Sequence, residues 1–161
     1  RLELVFTDGR TFTNSNTAGT VAGGSFFASP FQYPQLLICE LDIFPAGDWV
    51  IDMHDSYGDG WQTTTASGGP GITVTLNTGQ VFEVGLCTPY EPNTYACTNE
   101  LNDGTTTITI PSGITSAVWF FPGDSYGEIS FKIYGPSGNL AAASATGASG
   151  AGNIALNLCR E

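Results

Sequence analysis

Asp52, Asp55 and Asp59 put three carboxylates within eight residues, in the segment Asp52-Met53-His54-Asp55-Ser56-Tyr57-Gly58-Asp59-Gly60-Trp61. Carboxylates this close repel one another, and a divalent cation relieves the repulsion. Ca2+ suits the residue types, because it takes about six to eight hard oxygens on a flexible loop. Gly58 and Gly60 let the backbone curl, and the carbonyls of Ser56 and Tyr57 can complete a shell. The spacing is not that of an EF-hand, which needs D-x-D-x-D-G and a distant Glu. The competing reading is a turn in which the acids accept backbone N–H groups and face solvent.

The motif returns. Asp55-Ser56-Tyr57-Gly58 recurs as Asp124-Ser125-Tyr126-Gly127, 69 residues later, and each copy is followed by an acid, Asp59 or Glu128. Such self-similarity points to two related units. Phe121 stands where Asp52 would align, so a second metal site would rest on Asp124 and Glu128, with capping as the competing role of Glu128. Cys39 and Cys97 precede the copies by 16 and 27 residues, and Cys87 and Cys159 follow them by 32 and 35. An even cysteine count without C-x-x-C favours disulfides formed in an oxidising compartment. The repeat favours Cys39–Cys87 and Cys97–Cys159 among the three possible connectivities.

The string DSYGDGW, with its leading aspartate and following Gln62, resembles the DSYGDGW-type repeats of large secreted and surface-exposed bacterial and algal proteins. The segment GDSYGEISFKIYGPSGN is similar to their companion segment. The resemblance is confined to motifs and spans about residues 39–159. It implies an extracellular, β-rich, calcium-associated module in adhesive or structural proteins.

Charge narrows the function classes. The chain of 161 residues carries 15 acids and 4 basic residues, a formal net charge of −11. It therefore lacks the basic footprint of a nucleic-acid binder or of a protein held on an anionic membrane. No apolar run approaches the roughly 20 residues that span a bilayer. No signal peptide is readable, so the chain is expected to be mature or to begin inside a larger product. His54 is the sole histidine. It could join Ser56 or Ser125 in a nucleophilic triad, but no G-x-S-x-G elbow is present. The expectation is a protein that is not an enzyme.

The elements that must position these residues are strands. Gly is abundant at 21 residues, and the Lys and Glu that fill exposed helix faces are scarce. Residues 49–54 alternate Trp49, Ile51 and Met53 with Val50, Asp52 and His54, the period of a half-buried strand. Further strands are expected over 1–7, 36–44, 72–76, 81–86, 105–110, 115–121, 129–134 and 153–159. Asn77-Thr78-Gly79 marks a hairpin. Residues 88–96, with Pro89 and Pro92, read as a connector, and residues 141–152 as either a linker or a closely packed strand of small side chains. The expected fold is all-β: an antiparallel β-sandwich, or two packed β units over 37–87 and 97–159 sharing one core. Residues 1–36 form an N-terminal strand and an extended arm. Full barrel closure is the remaining option.

Two functions follow. The leading expectation is an extracellular, calcium-stabilised structural subunit. Its N-terminal strand, with Leu2, Leu4 and Phe6 on one face, would add to the sheet of a neighbouring copy. Exchange that runs head to tail without closing gives a filament. The alternative is a calcium-dependent carbohydrate-binding module, in which Trp61 either stacks on an extracellular glycan or pins the loop, while Trp49 and Trp119 belong to the core.

Overall fold

The computed structural model describes residues 4–5, 7, 11–12, 43–147 and 150–159. The chain divides into two compact units, Arg1–Ile38 and Cys39–Glu161. In the first, β1 (Leu4–Val5) pairs antiparallel with β2 (Thr11–Phe12), with Leu4 opposite Phe12. Leu2, Phe6, Cys39, most of the expected arm and residues 36–42 of the next expected strand lie outside the described residues.

The second unit is a β-sandwich of two antiparallel four-stranded sheets. One contains β3 (Gly47–Asp55), β6 (Asp103–Ile110), β8 (Ile129–Tyr134) and β9 (Leu140–Ser144), in the order β6-β3-β8-β9. The other contains β4 (Ile72–Leu76), β5 (Val81–Val84), β7 (Ala117–Phe121) and β10 (Gly152–Asn153), in the order β10-β7-β4-β5. Each sheet takes strands from both repeat units, so the two halves share one core.

That core follows from strand period. Side chains alternate between faces, so Trp49, Ile51 and Met53 turn inward, as do Ile72, Val74 and Leu76 and, on β8, Phe131 and Ile133. Trp49 meets Trp119 of the opposite sheet at a ring separation of 5.4 Å. Phe121 and Phe131 meet at 5.3 Å. The hairpin at Asn77-Thr78-Gly79 forms as expected, with Thr75 opposite Val81.

Two local expectations are corrected and one left open is decided. Ile43 and Phe44 are not in a strand; Phe44 instead stacks on Trp49 at 5.2 Å and donates its N–H to Ile114 O. The small-residue stretch supplies a strand at Leu140–Ser144, where alanines allow close packing beside β8. The last expected strand shrinks to Gly152–Asn153, while Ile154, Leu156 and Leu158 still pack against the core.

The disulfide expectation is also corrected. Cys87 bonds to Cys97, which excludes both Cys39–Cys87 and Cys97–Cys159. Cys87 N–H donates to Thr98 O and Thr98 N–H to Gly85 O. These two bonds lay the ends of the 88–96 connector side by side, with a Cα separation of 5.1 Å between the cysteines. Cys159 is disulfide-bonded as well. No helix of the described residues is long and apolar enough to cross a membrane.

Candidate metal centre

The site is built where β3 ends and β8 begins. Asp55, the last residue of β3, lies opposite Ile129, the first of β8. Ser56 N–H donates to Glu128 O at 3.0 Å. Glu128 of the second DSYG copy is thereby carried to the acids of the first. One ligand atom each of Asp55, Asp59 and Glu128 lies within 4.8 Å of the others.

Asp55 faces inward because strand period makes it so, and it is 0 % exposed. Its Oδ1 accepts Tyr57 N–H at 2.9 Å and Gly58 N–H at 2.6 Å, which closes the turn. Its Oδ2 is buried and has no partner. The chain then curls back through Gly60, whose φ is +82°. A Cβ at Gly60 would fall 1.9 Å from the Cys87 carbonyl oxygen, so only glycine fits this approach. The curl brings Asp59 to the cluster. Asp59 Oδ2 accepts the hydroxyl of Tyr90 at 2.8 Å, and its buried Oδ1 has no partner.

The electrostatics match the geometry. Burial pushes the Asp55 carboxyl above the usual range, against the pull of the Gly58 and Tyr57 N–H groups, and the charge of Asp59 adds to the rise. Glu128 is also raised, first by burial and then by the charges of Asp55, Asp59 and Asp124. The Tyr90 hydroxyl is raised by its bond to Asp59. Buried acceptors normally find donors, and the two carboxylate oxygens without partners in this cluster are candidate ligands for a cation. Hard oxygen ligands on a curled loop fit Ca2+.

The other expected ligands are placed elsewhere. Asp52 is three residues before Asp55, so on one continuous strand it faces the opposite way. There its Oδ1 accepts the Thr105 hydroxyl at 2.8 Å, as Asp48 Oδ1 accepts that of Thr109. Asp124 makes the same turn as Asp55, accepting Tyr126 N–H and Gly127 N–H on Oδ1, but its Oδ2 also accepts Ile129 N–H. The second copy thus supplies Glu128 to the shared cluster. Tyr57, expected to offer its backbone carbonyl, sits in the Asp55 turn, where its N–H donates to Asp55 Oδ1 and its side chain is exposed.

Trp61 does not stack on solvent-borne ligands. It is 2 % exposed, packed against Phe121 and Phe131, and donates Nε1–H to His54 O. The indole, flanked by Gly60 and Gln62, is drawn inward because it is the largest apolar group in the loop. His54 Nδ1 lies 2.6 Å from Asp103 Oδ1 on the outer face of the sheet. Ser125 Oγ donates to Thr63 O, in a contact that docks the second turn on the first loop.

Tyr90 was not singled out by sequence. The signal lay in its connector, which has a cysteine at each end and is therefore stapled beside the acids. Tyr90 joins Tyr57, Tyr126, Asp59, Glu128 and Ser67 around an open cavity of about 620 Å3. Comparison of the chain with family models, with curated proteins and with solved structures found no match.

Proposed function

We propose that this chain is a calcium-stabilised β-sandwich module serving a structural role outside the cell. One observation carries the reading: the buried Asp55, with its unpartnered Oδ2, converges with Asp59 and Glu128. Disulfide bonding and the resemblance to DSYGDGW-type surface repeats support an oxidising, extracellular setting. Thermal unfolding with added Ca2+ and with chelator tests it. Calcium is expected to raise Tm for the wild-type chain and not for Asp55→Asn combined with Asp59→Asn. An identical Tm with calcium and chelator overturns the reading.

The same reading includes self-assembly by strand addition through the N-terminal segment. Leu4 and Val5 pair with Thr11 and Phe12 of the same chain, and a two-strand ribbon has an outer edge on which another chain can build. Deletion of residues 1–12 tests the assembly. Assemblies that persist after the deletion count against strand addition.

A further inference from the structure

Tyr57, Tyr90 and Tyr126 are 73 %, 57 % and 58 % exposed. They are the exposed tyrosines among the described residues, and all three line the one cavity that also holds Asp59 and Glu128 of the candidate cation site. They reach it from three separate places. Tyr57 and Tyr126 occupy the same position in the two DSYG copies, and Tyr90 comes from the disulfide-closed connector. Two are held by their hydroxyls: Tyr90 donates to Asp59 Oδ2, and Tyr126 to Ala66 O at 3.4 Å. Tyrosine pairs a large apolar ring with a polar tip and is of intermediate burial in most proteins. Here three exposed tyrosines flank an acidic cavity.

We propose that this cavity binds a neutral glycan, with vicinal hydroxyls of a sugar ring completing the shell of a calcium ion held by Asp55, Asp59 and Glu128. The proposal rests on the cation-site reading given above. Its chemistry follows from ligand count. Asp55 Oδ1 already serves the turn and Asp59 Oδ2 already accepts Tyr90. With two of their six oxygens so engaged, the three carboxylates fall short of the roughly six to eight oxygens that Ca2+ takes. Backbone carbonyls such as those of Ser56 and Tyr57 can supply some of the rest, and the cavity side, lined by Asp59 and Glu128, can supply the others as water or ligand oxygens. Vicinal hydroxyls offer two neutral oxygens at adjacent positions, and the apolar face of a pyranose stacks on an aromatic ring. Charge selects against an acidic ligand. Three carboxylates and one Ca2+ leave a formal charge of −1, with Asp124 close enough to raise Glu128 further. A carboxylated or sulfated sugar would meet that negative field.

The experiment measures two bindings on the full chain. Calcium binding is followed by titration calorimetry. Glycan binding is followed on an array of neutral oligosaccharides ending in mannose, galactose or fucose, with calcium and with chelator. The expected result is retention that chelator abolishes, and that falls at least about tenfold in Tyr57→Ala and Tyr126→Ala while the calcium isotherm and Tm of those variants stay as in wild type. Normal calcium binding with a blank array overturns the glycan proposal and leaves the cation site standing. Retention that is indifferent to chelator or to both tyrosine substitutions also overturns it. Absence of calcium binding overturns the underlying reading itself.

Discussion

Asp55 and Asp124 open two identical four-residue turns, yet only Asp124 has both carboxylate oxygens satisfied. Each uses Oδ1 to accept the N–H groups two and three residues on. Asp124 Oδ2 then takes the N–H five residues on, that of Ile129. The equivalent donor for Asp55 is Gly60 N–H, which goes instead to Leu101 O. One diverted backbone bond separates a self-sufficient turn from a turn with a bare, buried oxygen.

The difference predicts opposite behaviour for the same substitution. Asp124→Asn sets an amide donor against Ile129 N–H and is expected to cost about 1–3 kcal/mol with or without calcium. Asp55→Asn removes a charge from a crowded acidic cluster. In chelator it is expected to be as stable as wild type or more so, and its calcium-dependent gain in Tm is expected to vanish. Paired melts of both variants with calcium and with chelator check this. A large loss for Asp55→Asn in chelator would show that its charge serves the fold alone.

The pH dependence has a definite sign. Asp55 and Glu128 are both raised in the folded protein, chiefly by burial. A carboxyl with a raised folded pKa binds more protons folded than unfolded, so its contribution to stability falls as pH rises from its unfolded value through its folded value. Metal-free protein is therefore expected to lose stability across the carboxylate range as pH increases. Calcium needs the deprotonated acids, so its stabilisation is expected to grow over that same interval. Two melting series against pH, one in chelator and one in excess calcium, are expected to diverge as pH rises. Parallel curves would rule out metal binding at these acids.

The Cys87–Cys97 bond has a consequence at the cluster, because the loop it closes carries Tyr90 to Asp59. Chain entropy for a loop of this length predicts about 2.7 kcal/mol of stabilisation. Replacing both cysteines with serine is expected to lower stability by about that amount. It is also expected to weaken calcium binding several-fold, since Asp59 loses the tyrosine that orients it. Calorimetry below the melting temperature separates the two effects. Calcium affinity unchanged in the folded double variant would show that Tyr90 does not position Asp59.

Alternation made the strands legible: the Trp49-Ile51-Met53 and Ile129-Phe131-Ile133 faces are both inward, as their period required. It also carried an unused clue. Asp52 and Asp55 are an odd number of residues apart, so they share a face only if the strand stops between them, and β3 runs through Asp55. The union of Glu128 with Asp55 and Asp59 was not legible locally. It depends on the β3–β8 register, which joins residues over seventy positions apart. The repeat misled the cysteine pairing for a related reason. Similar spacing suggested two self-closed units, whereas the strands of both units interleave in both sheets. The turns repeat; the topology does not.

Trp61 holds the far end of the DSYGDGW loop. Its ring packs between Phe121 and Phe131, from strands of opposite sheets, and its Nε1–H holds His54 O. The loop that supplies Asp55 and Asp59 is thereby fastened to the core at its far end. Trp61→Ala leaves a large cavity and is expected to cost about 3–5 kcal/mol. Trp61→Phe keeps most of the apolar volume but leaves His54 O without its donor, for about 1–2 kcal/mol. A purely packing role predicts that Trp61→Phe binds calcium as wild type does once folded. A role in setting the loop predicts weaker calcium binding in Trp61→Phe at a temperature where the variant is fully folded. The donor bond joins the strand residue just before Asp55 to the loop residue two beyond Asp59, so the second outcome is expected.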